Sequence, residues 1–201
     1  MEVLNVIIQA LIAIGTIAVA AAAIWGEWFR SKLAPARLAL IEYTSEGDPT
    51  TFASGTRVMW YQLKVINQHR WLPAQNCRVM LIGYSRRDPS GIFQPASMSV
   101  PSQFTWAPSE IMPPMVTILR EQVVDLGYVE ERGNRFNPRL YWMSNNFQGF
   151  VYANEGVRYH LQIEAVNFLS PIYVVEVAWD GQWSDVPAQM RQHLPIRIIP
   201  T

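Results

Sequence analysis

The sequence predicts a mainly β protein, in which an N-terminal transmembrane α-helix is followed by one antiparallel β-sandwich. Three observations support this prediction. Residues 3–25 carry no charge and consist mostly of Ile, Val, Leu and Ala. After them, apolar and polar residues alternate in short runs, which is the period of half-buried strands. Asn, Gly and Pro separate these runs, and no long amphipathic helical pattern lies between them. Both observations favour a sandwich over a parallel sheet with crossover helices.

The N-terminal apolar segment is long enough to cross a membrane. An α-helix rises about 1.5 Å per residue, so roughly 20 residues cross a hydrocarbon core of about 30 Å. A cleaved signal peptide and a buried core helix are the alternatives, and Ala20 to Ala23 would suit a cleavage site. The segment begins with Glu2 rather than with basic residues, and it is longer than the apolar part of a signal peptide. We therefore expect residues 3–25 to contact the lipid bilayer as a span.

Basic residues follow the apolar segment, and none precedes it. Arg30, Lys32 and Arg37 lie within a short stretch after it. Since the cytoplasmic flanks of a span are enriched in Lys and Arg, we expect a single-pass protein of the inner (cell) membrane. Its N-terminus is predicted to be outside and its C-terminal domain in the cytoplasm. The predicted parts are an anchor at residues 1–29, a juxtamembrane linker at 30–36 and a β-sandwich domain at 37–201.

The end of the span carries residues that hold helices at the membrane surface. Amphipathic aromatic rings lie at the level of the lipid headgroups, and basic side chains follow them on the cytoplasmic side. The predicted membrane-interface residues are Trp25, Trp28, Phe29, Arg30 and Lys32.

Polar and small residues recur within the span. Asn5, Gln9 and Thr16 fall close to one helical stripe, and Ala18, Ala22 and Gly26 place a small residue at every fourth position. Such patterns allow self-association or pairing with another membrane helix. The alternative is an ordinary span, in which the outer polar residues contact headgroups and water.

Composition limits the classes of partner. The chain has 16 basic and 16 acidic side chains, so no overall field attracts nucleic acid, and we expect no nucleic-acid partner. Cys77 is the single cysteine and cannot form an internal disulfide, which is consistent with a cytoplasmic domain.

Strands are predicted wherever apolar residues recur with period two. The strongest runs are Met59 to Val65, Cys77 to Leu81, Tyr159 to Ala165 and Tyr173 to Trp179. Weaker candidates are residues 37–43, 116–129, 140–143 and 194–199. Asp180 and Gly181 lie between Trp179 and Trp183 as a tight-hairpin signal.

One stretch of the strand pattern resembles a known class of module. The sequence Tyr-Gln-Leu-Lys-Val-Ile-Asn at residues 61–67, followed by Leu-Pro-Ala-Gln-Asn-Cys-Arg-Val at 72–79, resembles the strand, Asn-containing turn and strand of CARDB and fibronectin type III modules. This resemblance implies an immunoglobulin-like sandwich. The layout of span, Trp-x-x-Trp-Phe-Arg flank and β-domain is also similar to uncharacterised small bacterial membrane proteins, which implies an architecture and no activity.

Two stretches resist assignment to strands. Residues 88–115 contain six prolines, which break ladder pairing, and predict a long excursion that is either functional or disordered. Residues 130–149 mix arginines with aromatic rings, a composition typical of protein interfaces. Alternatively, Tyr141 and Trp142 belong to a core strand with the arginines on its solvated edge.

Local motifs for chemistry are absent from the sequence. It has no metal-ligand spacing, nucleophile elbow or glycine-rich phosphate loop, so we expect a non-enzymatic protein with no metal and no cofactor. Cys77 alternates with Val79 and Leu81 toward the predicted core, which favours an inert buried thiol. Asp125 is interpreted as the end of a strand.

These observations predict a non-enzymatic protein-interaction module that faces the cytoplasm and binds an unknown protein partner. The candidate contact residues are Phe104, Trp106, Arg135, Phe136 and Trp142, all expected on loops or edges. One alternative is an envelope-facing glycan-binding module that uses Trp60. Another is an enzyme whose distant residues converge, with a cleft joining Asp125 or another carboxylate to His160 or His69.

Overall fold

The computed structural model describes residues 2–33, 37–69, 72–166 and 168–200, and within the N-terminal helix it describes the side chains of residues 4–26. The chain divides into two compact units, residues 1–36 and 37–201. In chain order, the elements are α1 (Glu2–Leu33), β1 (Leu38–Glu42), β2 (Asp48–Thr51), β3 (Arg57–Asn67), β4 (Ala74–Arg87), β5 (Phe93–Ala96), β6 (Ser102–Gln103), β7 (Thr105–Trp106), β8 (Val116–Ile118), β9 (Glu121–Glu130), β10 (Arg135–Pro138), β11 (Val151–Tyr152), β12 (Glu155–Ala165), β13 (Phe168–Leu169), β14 (Tyr173–Trp179), α2 (Pro187–His193) and β15 (Ile196–Ile199).

The first unit contains the helix α1. Its stretch Leu4–Gly26 is long and apolar enough to cross a membrane, and a signal sequence near an N-terminus meets the same criteria. The Thr16 hydroxyl donates to the Ile12 carbonyl oxygen at 2.9 Å, so this polar group is satisfied inside the helix. Trp25 is 56% exposed. The side chains of Trp28, Phe29, Arg30 and Lys32 lie outside the described residues.

The second unit is an antiparallel sandwich, which confirms the predicted fold class. Among the described residues, a seven-stranded first sheet has the order β1-β3-β9-β10-β11, with β2 on β3 and β7 on β9. An eight-stranded second sheet has the order β15-β14-β12-β4-β5, with β13 on β12 and with β6 and β8 on β4. The Asn-containing turn at residue 67 joins β3 to β4 and therefore carries the chain from one sheet to the other.

Alternation explains why the long strands form and which side they bury. In β3, the side chains of Met59, Tyr61, Leu63 and Val65 are buried, while Gln62 and Lys64, which alternate with them, are half-exposed. In β12, Tyr159, Leu161 and Ile163 are buried in the same way. Cys77, Val79 and Leu81 in β4 and Val175, Val177 and Trp179 in β14 complete this pattern. The four strongest strand predictions are therefore confirmed.

Several weaker predictions are wrong in detail. Residues 140–143 form no strand, since Pro138 ends β10 and Leu140 makes only an isolated bridge with Phe104. Residues 116–129 form two strands, β8 and β9, which belong to different sheets.

The predicted hairpin at Asp180 is also wrong. Gly181, with a φ of 91°, does turn the chain. The Trp179 indole then donates to the Gln182 carbonyl oxygen at 2.9 Å, and the segment continues into α2, which has a proline in its first turn. Only after this helix does β15 return to pair with β14.

The proline-rich excursion contains short strands. Pro95 lies in β5, at the edge of the second sheet. An edge strand tolerates proline because the missing N–H can face the side on which no strand pairs. The strands β6 and β7 follow, one in each sheet, so the chain crosses between the sheets at Phe104.

Candidate functional site

The structure corrects the expected exposure of three candidate contact residues. Phe104, Trp106 and Phe136 have exposed fractions of 0%, 1% and 0%. Phe104 packs its ring 6.4 Å from that of Tyr159, measured between ring centroids. The Trp106 indole donates to the Pro114 carbonyl oxygen at 3.1 Å. All three belong to the core, so they present no surface to a partner.

The remaining two candidates differ from each other. The Arg135 guanidinium lies over the Phe150 ring, 3.9 Å from its centroid, and the Arg135 Nε atom donates to Asn137 Oδ1 at 2.9 Å. Arg135 is therefore half-buried by packing within the domain. Trp142 is 42% exposed and keeps the surface position that the sequence predicted.

Other exposed apolar residues lie on the segments that hydrogen bonds join to the segment of Trp142, and we name this group of residues the Trp142 patch. Its exposed fractions run from 40% to 57%, and its members are Val100, Met115, Tyr141, Trp142 and Met143. Sequence reasoning found only Trp142. Tyr141 and Met143 are its neighbours in the chain, whereas Val100 and Met115 lie on two other segments, which hydrogen bonds join to that of Trp142.

The three segments of the patch are joined through β6. The Tyr141 amide donates to the Gln103 carbonyl oxygen at 2.7 Å, and the Ser102 hydroxyl donates to the Trp142 carbonyl oxygen. The Gln103 side-chain amide donates to the Pro114 carbonyl oxygen, next to Met115. Because Ser102 and Gln103 are buried, these bonds hold an exposed apolar surface on a fixed support.

A second surface feature is a groove of about 530 Å³, which we name the sheet groove. Trp60 and Gln62 alternate with the buried Tyr61, so they lie on the outer face of the first sheet. The lining residues are Tyr43, Asp48, Thr50, Thr51, Phe52, Trp60, Gln62, Ala107, Pro108, Ser109, Glu110, Val123 and Asp125.

Asp125 is the buried charged group of the sheet groove. It lies inside β9, directly opposite Gln62, and is only 4% exposed, so its interpretation as the end of a strand is wrong. Gln62 Nε2 donates to Asp125 Oδ1 at 2.8 Å. Burial raises the pKa of Asp125, and the charge of Glu110 acts in the same direction, whereas the Gln62 bond and the charge of Arg139 lower it.

Aromatic rings form another part of the groove. Trp60 packs against Tyr128, with 4.9 Å between ring centroids, and Phe52 lies 6.1 Å from Trp60. Trp60 is therefore half-buried by neighbouring rings rather than presented as a flat platform. Tyr43 also lines the groove, and the Lys64 ammonium lies 4.0 Å from the centroid of the Tyr43 ring.

A loop forms the facing wall. The Ala107 amide donates to the Val123 carbonyl oxygen at 2.9 Å, and Gln122 Nε2 donates to the Ala107 carbonyl oxygen at 3.0 Å. Arg139 Nη2 donates to Ser109 Oγ at 3.3 Å. These bonds fix the wall against β9, so the groove is preformed.

The structure does not bring together the residues expected for an enzyme. Asp125 lies in the first sheet, whereas His160 lies in β12 of the second sheet, beside the Ser85 hydroxyl at 3.2 Å from His160 Nε2. Burial lowers the pKa of His160. Among the described residues, neither His160 nor His69 lines the groove that contains Asp125.

Cys77 and potential metal ligands were the other chemical candidates. Cys77 is buried in β4, and burial raises the pKa of its thiol to about 11, so the thiol stays protonated at neutral pH. Within the described ranges, no three His, Cys, Asp or Glu side chains are grouped so that they would hold a metal ion.

The chain is thus defined as a two-sheet β-sandwich preceded by an apolar helix. No protein-family model matches it, and no curated protein matches it. The resemblance to CARDB and fibronectin type III modules therefore remains a prediction. A search of solved structures finds a crystal structure described as that of the Putative ApaA Protein from Bordetella pertussis, with 13% identity and a TM-score of 0.25. The alignment covers 72% of this chain and 94% of that chain.

Proposed function

We propose that this protein is a membrane-anchored, non-enzymatic interaction module whose β-sandwich faces the cytoplasm and binds a protein partner through the Trp142 patch. The observation that carries the proposal is the patch itself. Trp, Tyr and Met are enriched at protein interfaces, and exposed aromatic anchors supply much of the binding energy there. Large apolar side chains that stay exposed on hydrogen-bonded segments of a folded domain are typical of an interaction site.

The anchor and the support of the patch fit this role. The helix α1 is long enough to hold the protein at a bilayer, which concentrates the domain at one surface. Arg30, Lys32 and Arg37 after the span favour a cytoplasmic domain by the positive-inside rule. Since β6 holds the patch segments in place, little ordering is needed when a partner binds.

Replacing Trp142 with glutamate should release the protein from its assembly. A buried unpaired carboxylate at an apolar interface costs several kcal/mol, so binding should fall by roughly 100-fold or more. The measurement is the size of the tagged full chain, extracted in mild detergent from cells that make it naturally. We expect the wild-type chain in a larger assembly and Trp142→Glu at the size of the chain alone.

Ile92→Glu is the matched control. Ile92 is 59% exposed and lies in the turn between β4 and β5, so the same change there leaves the patch intact. Both variants should unfold at the wild-type urea midpoint, because exposed substitutions change stability by about 0.5 kcal/mol or less. The proposal fails if the wild-type chain migrates alone, or if Trp142→Glu stays in the assembly.

A further inference from the structure

We infer that the sheet groove binds a basic side chain, a lysine or arginine, of the protein partner. This inference rests on the proposed function in one respect, because it assumes that the partner is a protein. It concerns a different surface from the Trp142 patch, and it follows from the charges, the rings and the position of the groove.

The charged residues that line the groove are all acidic. Asp48, Glu110 and Asp125 line it, and among the described lining residues none is Lys, Arg or His. Several other carboxylates of the domain are paired; for example, Glu121 lies 3.0 Å from Lys64 and Glu164 lies 2.6 Å from Arg78. The ion pairs found among the described residues include none of the three groove carboxylates. The groove therefore has negative charge that a bound cation would neutralise.

Of the three groove carboxylates, Asp125 has the strongest need of a counter-charge, because its exposed fraction is only 4%. Buried carboxylates in proteins are usually paired with a cation, and the Gln62 amide supplies only a neutral hydrogen bond. Arg139 acts on Asp125 through its charge, while its Nη2 atom bonds Ser109. A lysine or arginine entering the groove would add the direct partner that Asp125 lacks in this structure.

The aromatic walls favour the same ligand. The face of an aromatic ring attracts cations, and Tyr43, Phe52 and Trp60 all line the groove. The domain already uses this chemistry at the groove, because the Lys64 ammonium lies 4.0 Å from the Tyr43 ring centroid. A neutral sugar would also contact the rings, but it would leave the three carboxylates without a counter-charge.

The position of the groove favours a protein as the source of the cation. One loop, residues 107–115, forms a wall of the groove at its start and carries Met115 of the Trp142 patch at its end. A partner that binds both surfaces would contact the two ends of this loop. We expect the partner segment to combine an apolar anchor with a nearby basic residue.

The test uses the purified full chain in detergent micelles and the peptide tetralysine as probe, with binding measured by calorimetry at low salt. Tetra-arginine should bind similarly, and tetracitrulline, which is neutral, should not bind. Asp125→Asn keeps an oxygen for the Gln62 bond and Glu110→Gln keeps its shape, and each should weaken tetralysine binding by about tenfold.

Glu176→Gln is the charge-matched control. Glu176 pairs with Arg158 at 2.7 Å on the second sheet, so its replacement changes the net charge equally without touching the groove. We expect this variant to change tetralysine affinity by less than about twofold. An equal loss in all three variants would show non-specific attraction and overturn the inference, as would the absence of tetralysine binding.

Maltotriose serves as the competing probe. Binding of maltotriose that is lost in Asp125→Asn, without binding of tetralysine, would assign the groove to glycan and overturn the inference. The proposed function is tested separately, because Trp142→Glu alters the assembly in cells while leaving the groove intact. A result that contradicts the groove inference therefore does not contradict the proposed function, and the reverse also holds.

The fold of the Asp125→Asn variant can be checked by measuring how its stability toward urea depends on pH. Because burial raises the pKa of Asp125 in the folded domain, the charged form lowers stability as pH rises through the unfolded-state and folded-state pKa values. Gln62 and Thr105 lie opposite Asp125 on the two adjacent strands, and Glu110 and Arg139 are the charged groups that act on it. The variant should unfold at the wild-type urea midpoint at low pH and at an equal or higher midpoint at neutral pH.

Discussion

Trp106→Ala is expected to lower the free energy of unfolding of the β-domain by about 3–5 kcal/mol. Trp106 is 1% exposed and is among the largest fully buried side chains, so truncation leaves a cavity in the core. It also removes the indole donor that bonds the Pro114 carbonyl oxygen at 3.1 Å. Phe136→Ala should cost a similar amount, because its ring is fully buried 6.0 Å from that of Tyr61. Urea unfolding of the full chain in detergent, followed by near-ultraviolet circular dichroism, measures both effects.

Trp142→Ala is the control for these core substitutions. It removes the same type of side chain from a position that is 42% exposed, so the expected loss is about 0.5 kcal/mol or less. Similar losses for Trp106→Ala and Trp142→Ala would contradict the division between core and patch.

Asn67→Ala is expected to destabilise the domain by about 2–4 kcal/mol. Asn67 is 1% exposed, and its Nδ2 atom donates to the carbonyl oxygens of Leu72 at 2.7 Å and Ile118 at 3.1 Å. Its Oδ1 atom accepts from the His69 amide at 3.0 Å. The side chain thus joins the turn between β3 and β4 to the end of β8, and its loss leaves buried backbone groups without partners. The same urea titration measures the change.

Two variants sharpen the Asn67 experiment. Asn67→Asp keeps the acceptor but turns a carboxylate oxygen toward two carbonyl oxygens, so it should destabilise at least as much as alanine at neutral pH. Asn146→Ala, at an exposed position, should change stability by about 0.5 kcal/mol or less. A small effect of Asn67→Asp would mean that the donor bonds to Leu72 and Ile118 contribute little.

The sequence predicts the long strands well because period-two alternation over seven or more residues identifies both the strand and its buried side. The strands β3, β12 and β14 are examples. Strands of two residues, such as β6 and β7, contain no measurable period and lie among prolines, so the sequence predicts a loop there. One weak signal in the sequence indicates the burial of Phe104 and Trp106. These two aromatic residues are two positions apart, and residues with this spacing in a strand face the same side.

The candidate surfaces were less predictable than the strands. Alternation placed Trp60 outward, but the sheet groove also requires Gln62 to meet Asp125, 63 positions along the chain. That contact depends on the register of β3 against β9 and on the irregularity between Tyr61 and Gln62. The Trp142 patch similarly depends on side-chain bonds through β6, which no local pattern indicates. Sequence periodicity reports burial along one strand and not the pairing between strands.

The central claim, a domain presented to the cytoplasm by a membrane helix, is tested most directly by the accessibility of one introduced cysteine. Cys77 is fully buried and its thiol has a pKa raised to about 11, so it should not react in the folded protein. Ile92→Cys places a thiol at an exposed turn. We expect a membrane-impermeant maleimide to label this variant only after spheroplasts are permeabilised, with the wild-type chain unlabelled throughout. Labelling in intact spheroplasts would place the domain outside the cytoplasm, contradict the proposed function and favour the envelope-facing alternative.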